Sequence, residues 1–158
     1  MKLKGRWFQT LYGPDGKIKD YREGDNVITE DGTSFVAAFL NSAAAAASTF
    51  TMNYIGVGTD ATAEASSNTA LGAELDRALA TISNVTGSIY RLTATFACGT
   101  TSSGAIAEYG VFDSTTGGTM LSCDVESVIK KGVNDELVVS TEIKVSECPA
   151  EGRVAICS

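Results

Sequence analysis

The chain contains no histidine. That absence removes Ser-His-Asp and Cys-His nucleophilic sites and every histidine-containing metal centre. Proline is nearly missing too, with two residues against sixteen glycines. Alanine, serine and threonine are abundant, a profile of many short strands and turns rather than a helical bundle. Long apolar runs are lacking: the most apolar window, Phe35 to Ala47, is too short for a membrane span and is mainly alanine. No apolar signal core follows the basic start Met1-Lys2-Leu3-Lys4-Gly5-Arg6-Trp7. The expectation is therefore a chain made in a cytosol, with no membrane partner. Positive charge is scarce as well, with twelve lysines and arginines against nineteen acids and a net charge of −7. Nucleic acid is disfavoured as a partner, because phosphate binding leaves a basic footprint.

What remains is 158 residues, 44% apolar and 20% charged, which is one domain by length and enough to bury a core. Leu3 to Tyr12 and Lys17 to Arg22 read as a hairpin about the turn Gly13-Pro14-Asp15-Gly16. Val27-Ile28-Thr29 reads as a short strand. A helix is expected from Thr33 to about Ala47, capped by Thr33 or Ser34, with Phe35, Val36, Phe39 and Leu40 at helical spacing. The five alanines Ala43–Ala47 favour helix, although a low-complexity connector is the alternative.

The stretch Tyr54 to Arg77 organises the middle of the chain. A short apolar strand carries Gly56 and Gly58, which let another backbone approach closely or let the strand bend. A polar loop, Thr59–Thr69, and a compact turn, Leu71–Arg77, follow it. Further strands are read over Ala78–Val85, Gly87–Cys98, Ala105–Phe112, Thr119–Val125 and Leu137–Val145. Tyr90, Leu92, Ala94, Phe96 and Cys98 share one face. Leu137, Val139, Thr141, Ile143 and Val145 share another. The predicted fold is mainly β: an antiparallel sandwich or barrel-like domain with one short Ala-rich helix and an N-terminal hairpin. Its expected organisation is a hairpin or arm over residues 1–30 and a helix with connector over 31–50. A main β domain over 51–147 and a tail over 148–158 complete it.

Candidate sites are few. Gly56-x-Gly58 lacks the third glycine and the helix of a dinucleotide fingerprint. Asp60, Glu64, Glu74 and Asp76 flank the central loop, yet their spacing is not that of a calcium loop, and solvated carboxylates are the simpler reading. Glu108 sits in a strand with no second acid at a recognisable spacing, so no glycan-cleaving pair is expected. On that reading Glu108→Ala should leave stability nearly intact. The four cysteines form no CxxC pair; Cys98 reads as a small buried thiol, and Cys123 has no special reading. A disulfide between Cys148 and Cys157 would close a tail loop, whereas a cytosolic chain keeps such thiols reduced. No cofactor, no metal and no enzymatic activity is expected.

The N-terminal hairpin offers Lys4, Arg6, Trp7, Phe8, Tyr12 and Tyr21 as partner-binding residues, since aromatics and arginine make good interface anchors. The alternative is that its aromatics serve the domain's own core. Six of the twelve basic residues lie in the first 22 positions: Lys2, Lys4, Arg6, Lys17, Lys19 and Arg22. Docking of that basic part on an acidic neighbour follows as an expectation.

Three segments together resemble a pattern in small accessory structural proteins of tailed bacteriophages. The first is Asn26-Val27-Ile28-Thr29-Glu30-Asp31-Gly32 running into an apolar helix. The second is Ile55-Gly56-Val57-Gly58-Thr59 followed by Thr69–Arg77. The third is Gly104–Phe112, then Gly117–Ser122, then Asn134–Val139. The resemblance spans about residues 26–145; the tail from Cys148 departs from it. It implies an oligomeric, non-enzymatic virion component assembled in the host cytoplasm. The leading expectation is a capsid decoration or cement subunit, a homotrimer contacting the major capsid protein. The alternative is a tail fibre, fibre-adaptor or host-recognition component contacting tail proteins.

Overall fold

In the computed structural model, residues 2–41 and 51–146 are described, with residues 2, 41 and 84–86 described by backbone alone. The alanine run, Cys148 and Cys157 lie outside the described residues. Ten strands and one helix follow in the order β1 (Lys2–Tyr12), β2 (Ile18–Asp25), β3 (Val27–Ile28), α1 (Glu30–Asn41), β4 (Tyr54–Gly58), β5 (Glu74–Leu79), β6 (Thr81–Thr86), β7 (Ile89–Phe96), β8 (Gly104–Phe112), β9 (Met120–Lys131) and β10 (Glu136–Ser146). They form two five-stranded sheets, β2-β1-β10-β7-β6 and β3-β9-β8-β4-β5, in which every pairing is antiparallel. The architecture is β-sandwich-like and not a closed barrel, because among the described residues both sheets end in edge strands with one neighbour each.

Two short links carry the chain from one sheet to the other. Asn26 separates β2 from β3, and Ala80 separates β5 from β6. Both links fall at sheet edges, β2 and β3 on one side of the sandwich and β5 and β6 on the other. The stretch read as a compact turn over Leu71–Arg77 therefore contains the start of β5. The single strand expected over Ala78–Val85 is broken at Ala80, whose N–H donates to Asn53 O (2.7 Å) at the corner.

The core lies between the sheets. Trp7 and Leu11 of β1, Leu92, Ala94 and Phe96 of β7, and Leu137, Val139 and Ile143 of β10 meet Ile55 and Val57 of β4, Ile106, Tyr109 and Val111 of β8, and Ile129 of β9. The alternation expected in β10 is present: Leu137, Val139, Thr141 and Ile143 are buried, and only Val145 at the end emerges. Cys98 is a correction. β7 stops at Phe96, so the alternation does not reach Cys98, which is exposed, while Cys123 of β9 is the buried thiol.

Helix α1 starts earlier than its apolar spacing suggests. Its N-cap is Thr29, whose Oγ1 accepts the Gly32 N–H (2.9 Å) and whose carbonyl accepts the Thr33 N–H (3.0 Å). Glu30 and Asp31 then occupy the first turn, where acids favour the helix dipole. The same Thr29 hydroxyl donates to Met120 O, and its N–H donates to Leu121 O (3.1 Å), so the cap also ties α1 to β9.

Candidate functional site

The outer face of the second sheet carries two loops, each held by one buried side chain. Gly56 and Gly110 lie directly opposite each other on β4 and β8. A Cβ on either would meet the Phe112 ring, at 2.9 and 2.8 Å respectively, and Leu71 next. These glycines leave room for Phe112, Met120 and Cys123 to form a second small cluster with Val27, Tyr54 and Leu71. The loop 59–73 lies over that cluster through Leu71.

Glu108 fixes this loop. It is 4% exposed, and its carboxyl oxygens accept the N–H groups of Gly72 (2.7 Å), Ala73 (2.7 Å) and Asp60 (3.2 Å). Thr59 N–H adds a bond to Ala73 O (3.0 Å). A Cβ at Gly58 would collide with the Glu108 carboxyl and Ala73 O, so β4 needs glycine at this point. The expectation that Glu108→Ala leaves stability nearly intact is corrected, because the carboxyl accepts three N–H groups from a distant loop.

Arg77 fixes the second loop. Its Nε and Nη2 donate to the two oxygens of Glu74 (2.7 Å each), and its Nη1 donates to Ser114 O and Gly117 O (2.8 Å each). The guanidinium stacks 3.5 Å from the centroid of the Phe112 ring. Gly117 and Gly118 take φ of 58° and 74°, a left-handed pair that returns the hairpin to Thr119, whose N–H donates to Asp113 Oδ1 (2.8 Å).

Beneath the 59–73 loop is a cavity of about 70 Å³ lined by Asp60, Glu64, Glu108, Cys123 and Asp124 among others. Burial raises the Asp124 pKa to about 7, with the charges of Glu126 and Glu64 adding to it. Burial likewise raises the Cys123 thiol to about 11, reinforced by Glu64, Asp124 and Glu108. Such a thiol is protonated at neutral pH and is a poor nucleophile. Asp60 is lowered by the hydroxyl and N–H of Thr62. Among the described residues no three His, Cys, Asp or Glu side chains converge to hold a metal ion. Of the acids flanking the central loop, Asp60 and Glu64 line the cavity, Glu74 is engaged by Arg77, and Asp76 accepts the Arg77 N–H (2.9 Å).

The hairpin residues lie elsewhere, on the first sheet. β1 pairs with β10 over its whole length, from Lys2 opposite Ser146 to Tyr12 opposite Glu136, so the hairpin is the middle and edge of that sheet rather than a projecting arm. Trp7 is fully buried, with its ring centroid 5.9 Å from that of Tyr109, and serves the core. Lys4 and Arg6 are exposed, Phe8 and Tyr12 are half-buried, and Tyr21 is exposed. Four of the six residues of the basic cluster pair with acids within the chain. Arg6 lies 3.2 Å from Glu23, Lys17 3.9 Å from Asp15 and Lys19 2.7 Å from Asp135, while Arg22 pairs with Asp20. Tyr21 donates to Glu23 (2.9 Å), which raises its pKa. The hairpin therefore presents a mixed, charge-balanced face instead of a basic one.

The interior between β1 and β9 holds polar side chains that the alternation patterns did not mark. Trp7 Nε1, both ends of the Gln9 amide, the Tyr109 hydroxyl, Ser122 Oγ and Asp124 Oδ2 are buried without a hydrogen-bond partner among the described residues. Asp124 and Ser122 sit opposite Tyr109 and Val111 on the inner side of the second sheet. Compared with known proteins, the chain matches no family model, no curated protein and no solved structure.

Proposed function

We propose that this protein is a non-enzymatic structural component of a tailed-phage virion, a decoration or cement subunit that braces the head through protein contacts. One observation supports the reading above the rest. The segments that carry the phage resemblance become the tied parts of the second sheet: Thr29 to the β9 carbonyls, Glu108 to the 59–73 loop, and Arg77 to the 113–118 hairpin. In each, the polar group is spent on holding backbone in place. A bracing subunit needs such a rigid platform, with its contacts made by surface rather than by reactive groups.

The two pinned loops also favour a second reading. Thr115, Thr116 and Gly117 are exposed at the tip of a clamped hairpin, a preorganised contact surface of the kind an adsorption module uses. The readings separate in particles lacking the protein. A cement subunit predicts heads that release DNA at lower temperature than wild type, with adsorption unchanged. Normal head stability with lost adsorption would move the protein to the tail. Particles unaltered in both respects would contradict either role.

A further inference from the structure

The two sides of the sandwich treat their open edges differently. On one side, β2 carries five charged residues in eight, Lys19, Asp20, Arg22, Glu23 and Asp25, with a register shift between Leu11 and Tyr12 in its ladder to β1. Its neighbour across the sandwich, β3, is only two residues long. Beyond β3, strand β9 bulges: Ile106 faces Ile129 while Glu108 faces Val125, so Glu126, Ser127 and Val128 are crowded against Ala107. Ser127 then accepts Arg22 Nε–H (2.9 Å). Charge, shortness and a bulge are the devices that stop a sheet edge from pairing.

The other side lacks most of them. β5 and β6 are separated only by Ala80 and form one extended segment from Glu74 to Thr86 that ends both sheets. Its charges, Glu74, Asp76 and Arg77, sit at the start, and Arg77 is turned inward with its side chain 5% exposed. From Ala78 to Val85 the sequence ALATISNV has no charge, proline or glycine. The one irregularity there falls between Asn84 and Thr86. Leu79 is 64% exposed and Ile82 43% exposed, two large aliphatic side chains on a bare edge. A segment with β-forming residues, little charge and no proline readily adds another strand.

We infer that this edge pairs with the same edge of a second copy of the chain, antiparallel about a two-fold axis that sets Thr81 opposite its own copy. Self-pairing fits the charge distribution. An antiparallel two-fold arrangement sends Glu74 and Asp76 of the two copies to opposite ends, each facing the uncharged Thr86–Ser88 end of its partner. A parallel arrangement would set the same acids side by side. With Thr81 opposite its own copy, Leu79 of one copy lies opposite Ser83 of the other on the outer face and Ile82 opposite Ala80 on the inner face, twice per dimer, and both large side chains leave water. Each β5 adds to a partner β6, so each sheet continues into the partner's. Two-fold contacts of this self-complementary kind are the commonest in soluble oligomers. The inference uses only the fold and the edge, and stands or falls apart from the virion reading.

The test is the mass of the full chain in solution by sedimentation velocity over a dilution series. Wild type is expected to be a dimer that dissociates on dilution. Leu79→Lys sets a charge in the pairing seam and is expected to give a monomer with unchanged circular dichroism, since the site is exposed. Adding Ser83→Glu to that variant places each new lysine opposite a glutamate and is expected to restore the dimer. A monomeric wild type overturns the inference. So does a trimer, the state the phage resemblance implies, or a dimer indifferent to Leu79→Lys.

Discussion

Single side chains carry much of this structure's specificity, and Glu108 is the clearest. Replacing it with alanine strands three N–H groups of the 59–73 loop without an acceptor. A loss of about 2–3 kcal/mol is expected in chemical denaturation, since bonds to a carboxyl are worth more than neutral ones and three part-buried N–H groups lose their acceptor together. Glu108→Gln keeps the shape but turns an NH2 toward one of those N–H groups, so it is expected to fall between wild type and alanine. Asp124 makes a prediction of opposite sign. Its folded pKa of about 7 lies above the unfolded value of 3.8, so the folded state holds a proton that the unfolded state has released. The contribution of Asp124 to stability is full below about pH 4, falls as pH rises toward 7 and is level above it, a swing of at most about 4 kcal/mol. Asp124→Asn is expected to flatten that slope and to be more stable than wild type at pH 8, measured by denaturation at several pH values.

At the scale of elements, the alternating strands were legible and the ties between them were not. β10 was readable because Leu137, Val139, Thr141 and Ile143 repeat every second residue, which is all that a half-buried strand requires. Helix α1 was displaced in the reading because its start depends on Thr29, a polar residue before an acidic, glycine-containing turn with no apolar signal. The loop-holding roles of Glu108 and Arg77 were not legible because their partners lie in loops 35 to 48 and 37 to 40 residues away, a separation no local pattern encodes. The hairpin aromatics were readable only as a choice between core and contact. The structure divides them, Trp7 inward and Phe8 outward, because neighbours on a strand face opposite sides. Trp7→Ala is accordingly expected to cost about 3–5 kcal/mol, and Phe8→Ala much less, in the same denaturation assay. For the second loop, Arg77→Lys keeps the charge but loses the fork that grips Glu74 and two carbonyls. Hydrogen exchange over residues 113–119 is expected to speed up markedly, while β10 stays protected.

The whole molecule is an acidic two-sheet sandwich in which six of the twelve lysines and arginines pair with acids among the described residues and buried polar groups hold loops. Its net charge of −7 keeps copies apart in solution at long range, so association has to come from a particular surface. The sheets leave two kinds of edge for that purpose, one guarded by charge and bulges and one bare. A rigid platform with fixed loops suits a particle in which many copies repeat the same contact. The direct test is gold-labelled antibody against the protein on intact virions in electron microscopy. Label distributed over the head is the predicted result; particles that bind no label would contradict the account.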